Sequence, residues 1–315
     1  MMLTRFIRYE TILAILTIMA LITLAMLSNK FFTAGNLLNQ GRLMSEVGLV
    51  ALAMTFVIVT GGIDLSVGSI LGLTAILLGV FWQNVGMPLP LAMIAAVICG
   101  TLAGLGNGFV ITRFRVPPLI TTLATLALYR GLAEGISEAR SVRGYPEWFF
   151  FFGQGEIAGV PFQLWVLVIC IVISGVILGF TPFGRATYAI GANETAARFS
   201  GIRVDAAKLW IYSAAGFLAA VAAVIFVSRV TTTRSDMGTG IELDVITGVV
   251  LGGTSIFGGK GTVAGTVIGL VLIQALKNGL ALSGVKGDGT IVVIGIVLIG
   301  AILAGALLDR NRGGS

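Results

Sequence analysis

Asn107, Gln274, Lys277 and Asn278 each stand inside a long run of apolar residues. Hydrocarbon offers such side chains no partner, so each must bond within the protein or to something that passes through it. A side-chain amide both donates and accepts, which matches the hydroxyls of a polyhydroxylated ligand in either direction. Asn107, Gln274 and Asn278 are on that account candidates for lining a path or a gate. The same amides serve to bond one helix to another, and both readings stay open at this level. Asp64, in GGIDLSVGS from Gly61 to Ser69, is a further candidate. It lies between two apolar runs, where its charge needs compensation. Either it caps the next helix by accepting the amide hydrogen of Ser66 or Val67, or it belongs to the path or gate itself.

Enzyme chemistry is poorly supplied. No histidine is present, Cys99 and Cys170 fall in separate apolar runs, and the acids Glu46, Glu134 and Asp64 are scattered. Neither a metal site nor a catalytic constellation is encoded, and no cofactor is expected. Glu242 and Asp244, just ahead of a short apolar run, suit a helix N-terminus. Arg130 and Glu134, four apart, are predicted to pair. The stretch GGKG from Gly258 to Gly261 resembles a phosphate loop but fails its pattern. Six residues before Lys260 stands Thr254 instead of glycine, and Gly261 follows where serine or threonine is needed. Any nucleotide must be handled by another chain.

The elements that carry these residues follow from composition. Of 315 residues 57% are hydrophobic and 11% charged, and the mean hydropathy is +1.02. No water-soluble domain of this size tolerates such a balance, so the predicted fold is an all-α, polytopic membrane protein forming a single domain over residues 1–315. At about 17 to 25 apolar residues per span, ten spans are predicted. They are Thr11 to Leu27, Leu43 to Val59, Leu65 to Phe81, Leu89 to Ile111, Pro117 to Ile136, Leu164 to Phe180, Leu209 to Val227, a short Leu243 to Phe257, Thr262 to Leu282 and Thr290 to Leu308. An even number puts both termini on one side. Arg5 and Arg8, Arg113 and Arg115, the basic residues of segment 181–208, and Arg310 and Arg312 then share the cytoplasmic face. The eighth span is the weak point of that topology, because a re-entrant segment there reverses everything after it. The formal charge of +6 is spread singly between apolar runs, which fits lipid headgroups and not nucleic acid. The segment Ser137 to Gln163, with Trp148 and the run Phe149 to Phe152, is predicted to lie at the outer headgroup level.

Glycine patterning adds two expectations. Gly265 and Gly269 have the spacing that lets helix backbones approach closely. Gly61, Gly62, Gly68, Gly72 and Leu73 also align with Gly258, Gly259, Gly265, Gly269 and Leu270 at a constant offset, a faint repeat that makes the two Gly-Gly breaks equivalent interruptions.

The one long polar interruption between strongly apolar spans is Thr181 to Lys208. Pro182 and Gly184 break the preceding helix, Asn193 can cap a new one over Glu194 to Phe199, and Gly201 can end it in a left-handed turn. Two turns are too short to be stable alone and need a partner surface. The small Ala196 and Ala197, with Phe199 and Ile202, suit a cleft in another protein, and a plain loop on lipid headgroups is the other reading. The pattern of Gly191, Asn193, Ala196, Ala197, Gly201 and Ile202, with GGIDLSVGS and with ELDVITGVVLGGTSIFGG from Glu242 to Gly259, resembles the monosaccharide permeases of bacterial ABC importers, the ribose, xylose, rhamnose and autoinducer-2 group. That resemblance implies a coupling helix whose contacts with a separate ATP-binding-cassette subunit fall on Gly191, Asn193, Glu194, Ala196, Ala197, Gly201 and Ile202. It also implies a periplasmic sugar-binding protein that does the recognition, a second permease copy or homologue, and residence in the bacterial inner membrane. An autoinducer-2 permease of the same family is one alternative. A secondary sugar transporter is another, and it requires a titratable or ion-binding group deep in the bundle.

Overall fold

The computed structural model describes residues 3–138 and 140–285, with scattered positions between 289 and 299. Along the chain these form α1 (Leu3–Leu27), α2 (Ala34–Val59), α3 (Val67–Gly79) continued by a π-helical turn Val80–Asn84, α4 (Leu89–Arg113) and α5 (Pro118–Ser137). A 3-10 turn Glu147–Phe150 then runs into α6 (Phe151–Gln154), followed by a small antiparallel hairpin of β1 (Glu156–Ile157) and β2 (Val160–Pro161). The second half comprises α7 (Phe162–Phe180), α8 (Pro182–Ala192), α9 (Glu194–Phe199), α10 (Val204–Val230), α11 (Ile241–Leu251) and α12 (Val263–Leu282). Nine of the ten predicted spans coincide with helices among the described residues. The tenth, Thr290 to Leu308, lies largely outside them, as do Arg310 and Arg312. Six helices, α2, α3 with its π turn, α4, α7, α10 and α12, are each long and apolar enough to cross a membrane. The protein is an all-α, multi-pass membrane protein.

Proline sets the helix starts. All seven prolines sit at or immediately before a helix or 3-10 turn, where a missing amide hydrogen costs nothing, so none kinks a span. The core is built on α2 and α10, whose inner faces are buried from Leu49 to Val59 and from Ala215 to Val227. Small residues let neighbours close on them: Gly104 of α4 meets the backbone of Gly216 on α10, and Gly248 and Gly252 of α11 meet Gly269 and Gly265 of α12. On α4 the residues Leu91, Ile94, Ile98, Leu102, Leu105 and Phe109 recur at helical spacing and stay exposed, as a lipid-facing stripe requires.

Three expectations are corrected. The eighth span ends at Leu251 and not Phe257, because Gly253 turns left-handed (φ +88°) once Gly252 is pressed against the backbone of Gly265. The irregular stretch that follows is held by protein, with the Thr254 amide on the Val249 carbonyl and the Ser255 amide on the Lys260 carbonyl, as non-helical backbone at this depth must be. It still reaches the end of the bundle where segment 181–203 lies, so α12 starts there and the reversal does not occur. Arg130 does not rely on Glu134. Its guanidinium reaches across to the carbonyls of Ser235 (2.5 Å) and Met237 (2.8 Å), pinning the loop between α10 and α11. The aromatic run is only partly peripheral: Trp148 and Phe151 are exposed, but Phe149 is fully buried and its carbonyl accepts a hydrogen bond from the Ser228 hydroxyl at 2.6 Å.

The two Gly-Gly breaks lie at the same end of the bundle and touch. Gly61 and Gly258, equivalent in the repeat, both adopt left-handed φ (+77° and +84°). The Gly259 amide donates to the Val59 carbonyl at 2.8 Å.

Candidate functional site

Segment 181–203 folds as its residues dictate. Thr181 caps α8 by accepting the Gly184 amide at 3.2 Å, and Asn193 ends α8 and caps α9 by accepting the Ala196 amide at 2.9 Å. Gly201 takes φ +82°; its amide bonds the Arg198 carbonyl, while the Ile202 amide bonds that of Ala197. This is the six-to-one and five-to-two closure of a left-handed helix end. Ala197 is buried against Ile190, Val204 and Ala207, with Ile202 beside them. Ala197 and Ile202 therefore seat the helix instead of facing outward, and the presented surface is Thr195, Ala196 and Phe199, the last 89% exposed.

Glu194 also turns inward. It accepts from Lys208 Nζ (2.6 Å) and Arg198 (2.9 Å), and Arg198 in turn bonds Asp205. Partial burial works to raise the Glu194 carboxyl, but the hydrogen bonds from Lys208 and Arg198 outweigh it and hold the group below its ordinary value. The bond to Asp205 keeps the Arg198 guanidinium charged. Since Glu194 is depressed in the folded chain, its contribution is complete above the ordinary carboxylate range and fades only as pH falls through the lowered value.

Beneath this helix Gly191 forms a three-way backbone junction. A Cβ on Gly191 would overlap the Val59 carbonyl oxygen and the Gly259 nitrogen, and one on Gly258 would come within 2.8 Å of the Gly191 oxygen and 2.9 Å of the Gly61 nitrogen. The joint between α8 and α9 is thus seated directly on both Gly-Gly breaks. The GGKG loop has no amide to spare for a phosphate at its first two positions: Gly258 donates to Ser255 and Gly259 to Val59.

The four candidate path residues separate into two places. Asp64 is fully buried, and its Oδ1 accepts from the Ser66 amide (2.9 Å) and hydroxyl (2.6 Å), while Asn107 Nδ2 donates to that hydroxyl at 2.7 Å. Far from them, Gln274 bonds Gln40 at 2.6 Å and Asn278 bonds Asn36 at 3.0 Å, two amide pairs four residues apart that tie α12 to α2. Gln274 in addition lines a cavity with Glu46, Arg229 and Lys277. Sequence reasoning set Glu46 aside as a lone acid and did not single out Arg229. The only available signal was a carboxylate and a guanidinium each set in an apolar run, and nothing in their separation announced that they meet.

Asp64 permits a direct test. Asparagine keeps an acceptor for the Ser66 amide, whereas alanine strands that amide and the Ser66 hydroxyl in a buried site at about 1–3 kcal/mol. Asp64→Ala is expected to melt earlier and Asp64→Asn to melt and transport nearly as the parent does. An Asn variant that accumulates normally but transports nothing would assign Asp64 to the gate.

The described residues thus form a multi-pass helical bundle with polar side chains threaded between its helices and a short capped helix held out at one end. The chain belongs to the family described as branched-chain amino acid transport system / permease component, whose profile matches residues 36–302. It is 43% identical over 271 residues to the ribose import permease protein RbsC of Bacillus subtilis (strain 168), covering 85% of this chain and 84% of that one. RbsC of Escherichia coli (strain K12) is 40% identical over 273 residues, with 85% and 84% covered. The autoinducer 2 import system permease protein LsrD of Escherichia coli O9:H4 (strain HS) is 39% identical over 248 residues, with 77% and 75% covered. No solved structure matches the chain.

Proposed function

We propose that this chain is the permease subunit of an ATP-driven importer for a neutral monosaccharide of the ribose type, resident in a bacterial inner membrane with both termini in the cytoplasm. A separate ATP-binding-cassette subunit docks on α9. A periplasmic binding protein delivers sugar at the opposite end, and a second permease copy or close homologue completes the path.

The observation that carries this reading is the mounting of α9. A two-turn helix is capped at both ends, braced by four internal charges and seated on two helix breaks, yet it presents a bare phenylalanine. Such a ring on a polar segment is an anchor awaiting a pocket. The ribose permeases among its relatives favour a pentose, and the relative that imports autoinducer 2 favours that ligand as the second reading.

Vesicles holding the chain with its ATPase and binding protein are expected to accumulate D-ribose when supplied with ATP, and a protonophore should leave the rate unchanged. The isolated chain should bind no nucleotide, and Lys260→Ala should leave nucleotide affinity of the complex as it was. Accumulation driven by an ion gradient without ATP would make the chain a secondary transporter instead.

A further inference from the structure

At the end of the bundle away from α9, a cavity of about 620 Å³ opens between α2, α10, α12 and the loop joining α10 to α11. Pockets that hold small molecules run from roughly 300 to 1,000 Å³. Its centre is a planar fork: Arg229 Nε donates to Glu46 Oε1 at 2.6 Å and Nη2 to Oε2 at 3.0 Å, with the Glu46 side chain 5% exposed. The same guanidinium lies 4.9 Å above the Phe226 ring. Around this stand Gln274 and Lys277, the latter paired with Asp244 at 2.5 Å.

Three properties of the lining narrow the ligand. Each of these charges is already matched, Glu46 by Arg229 and Asp244 by Lys277, so an ion entering would find no uncompensated partner and would forfeit its hydration. The edges of these groups still offer acceptors and donors side by side, the geometry that two adjacent hydroxyls satisfy. Phe226 adds aromatic surface to the lining, beside the face that Arg229 covers, against which the carbon-bound hydrogens of a sugar ring can lie. The rest of the lining includes the apolar Leu43, Val47, Val230, Met237 and Ile241, so a ligand seated here needs an apolar flank beside its hydroxyls, and a side chain without hydroxyls leaves the fork unanswered.

We infer that this cavity is a holding site for a neutral aldose on its way through the chain, with Glu46 and Arg229 as the fork that grips a vicinal diol. The inference rests on the importer reading above and adds the place and the contacts. Glu46 and Arg229 join α2 to α10, so the grip is made on the two central helices of the bundle.

The test uses the full chain in lipid nanodiscs with Cys99 and Cys170 replaced by alanine. Thr239→Cys places a thiol at the cavity rim, and Ile157→Cys places one on the exposed hairpin as a control. D-ribose at twice its dissociation constant should slow maleimide labelling of the rim thiol about threefold, since the rate divides by one plus the ratio of concentration to that constant. The hairpin thiol should label unchanged. Leucine and inorganic phosphate should protect neither. Adding Phe226→Leu, which leaves Arg229 paired with Glu46, should weaken protection by ribose while the hairpin thiol labels as before. Unchanged labelling of the rim thiol over a ribose titration, in a protein whose complete importer accumulates ribose, overturns the holding site and leaves the function standing. Protection by leucine and not by ribose overturns it as well. Failure of the complete importer to take up any aldose would instead remove the reading on which it rests.

Discussion

A chain carrying Gly191→Ala should insert, accumulate and yet import almost nothing. The added methyl has no free direction: it would meet the Val59 carbonyl and the Gly259 nitrogen, both backbone atoms that cannot swing aside as a side chain would. The joint of α8 and α9 must lift away, and the bond from the Gly259 amide to Val59 goes with it. Overpacking of this kind costs about 1–3 kcal/mol, enough to shift seated against unseated populations by roughly 5- to 150-fold. The helices long and apolar enough to cross the membrane are untouched, so the amount of chain should not fall in step. Gly175→Ala and Gly179→Ala on α7, where a methyl meets nothing within 4 Å, supply the comparison and should import normally. Ribose uptake per unit of inserted protein is the readout. Parental uptake by Gly191→Ala would mean that the junction transmits nothing.

The second large effect is expected at Phe199. The ring is almost wholly exposed, so Phe199→Ala should leave the melting temperature alone. Burying a phenylalanine contributes about 1.5–3 kcal/mol, which makes the ATPase bind roughly 10- to 150-fold more weakly when the ring is removed. Phe199→Tyr should restore most of that affinity. Titrating the purified ATPase onto nanodiscs holding each variant decides the matter. Equal affinities for parent and alanine variant would place the docking surface elsewhere. Together the two substitutions separate docking from transmission: one should lose the partner, the other should keep the partner and lose transport.

Local chemistry in this chain was legible from its sequence, and long-range pairing was not. Asn193 and Gly201 act as their types and spacing predict, because a cap and a left-handed stop depend only on residues within a turn. Nine spans were legible for the same reason. The eighth was overlong because its apolar run continues past Leu251, and the packing of Gly252 on Gly265 that stops it involves another helix. Arg130 was assigned to Glu134 by helical spacing, yet carbonyls more than a hundred residues away offered better geometry. The amides of Gln274 and Asn278 were recognised as needing partners, but which helix supplied them could not be read. Glu46 was set aside as a lone acid, and Arg229 was not singled out, for that reason: a lone charge in an apolar run says that a partner exists and not where it is.

The junction under α9 also orders the making of the protein. Val59 and Gly191 emerge from the ribosome well before Gly259, whose amide completes the contact. A nascent or truncated chain that stops short of Gly259 therefore carries a capped α9 with only the Val59 side of its seat beneath it. On the function proposed above, such a chain is expected to capture the ATPase without being moved by it. Completion of the seat is then expected to mark the moment when an inserted polypeptide becomes a working subunit, and it comes just before synthesis of α12, the helix that supplies Gln274 and Lys277 to the cavity at the other end.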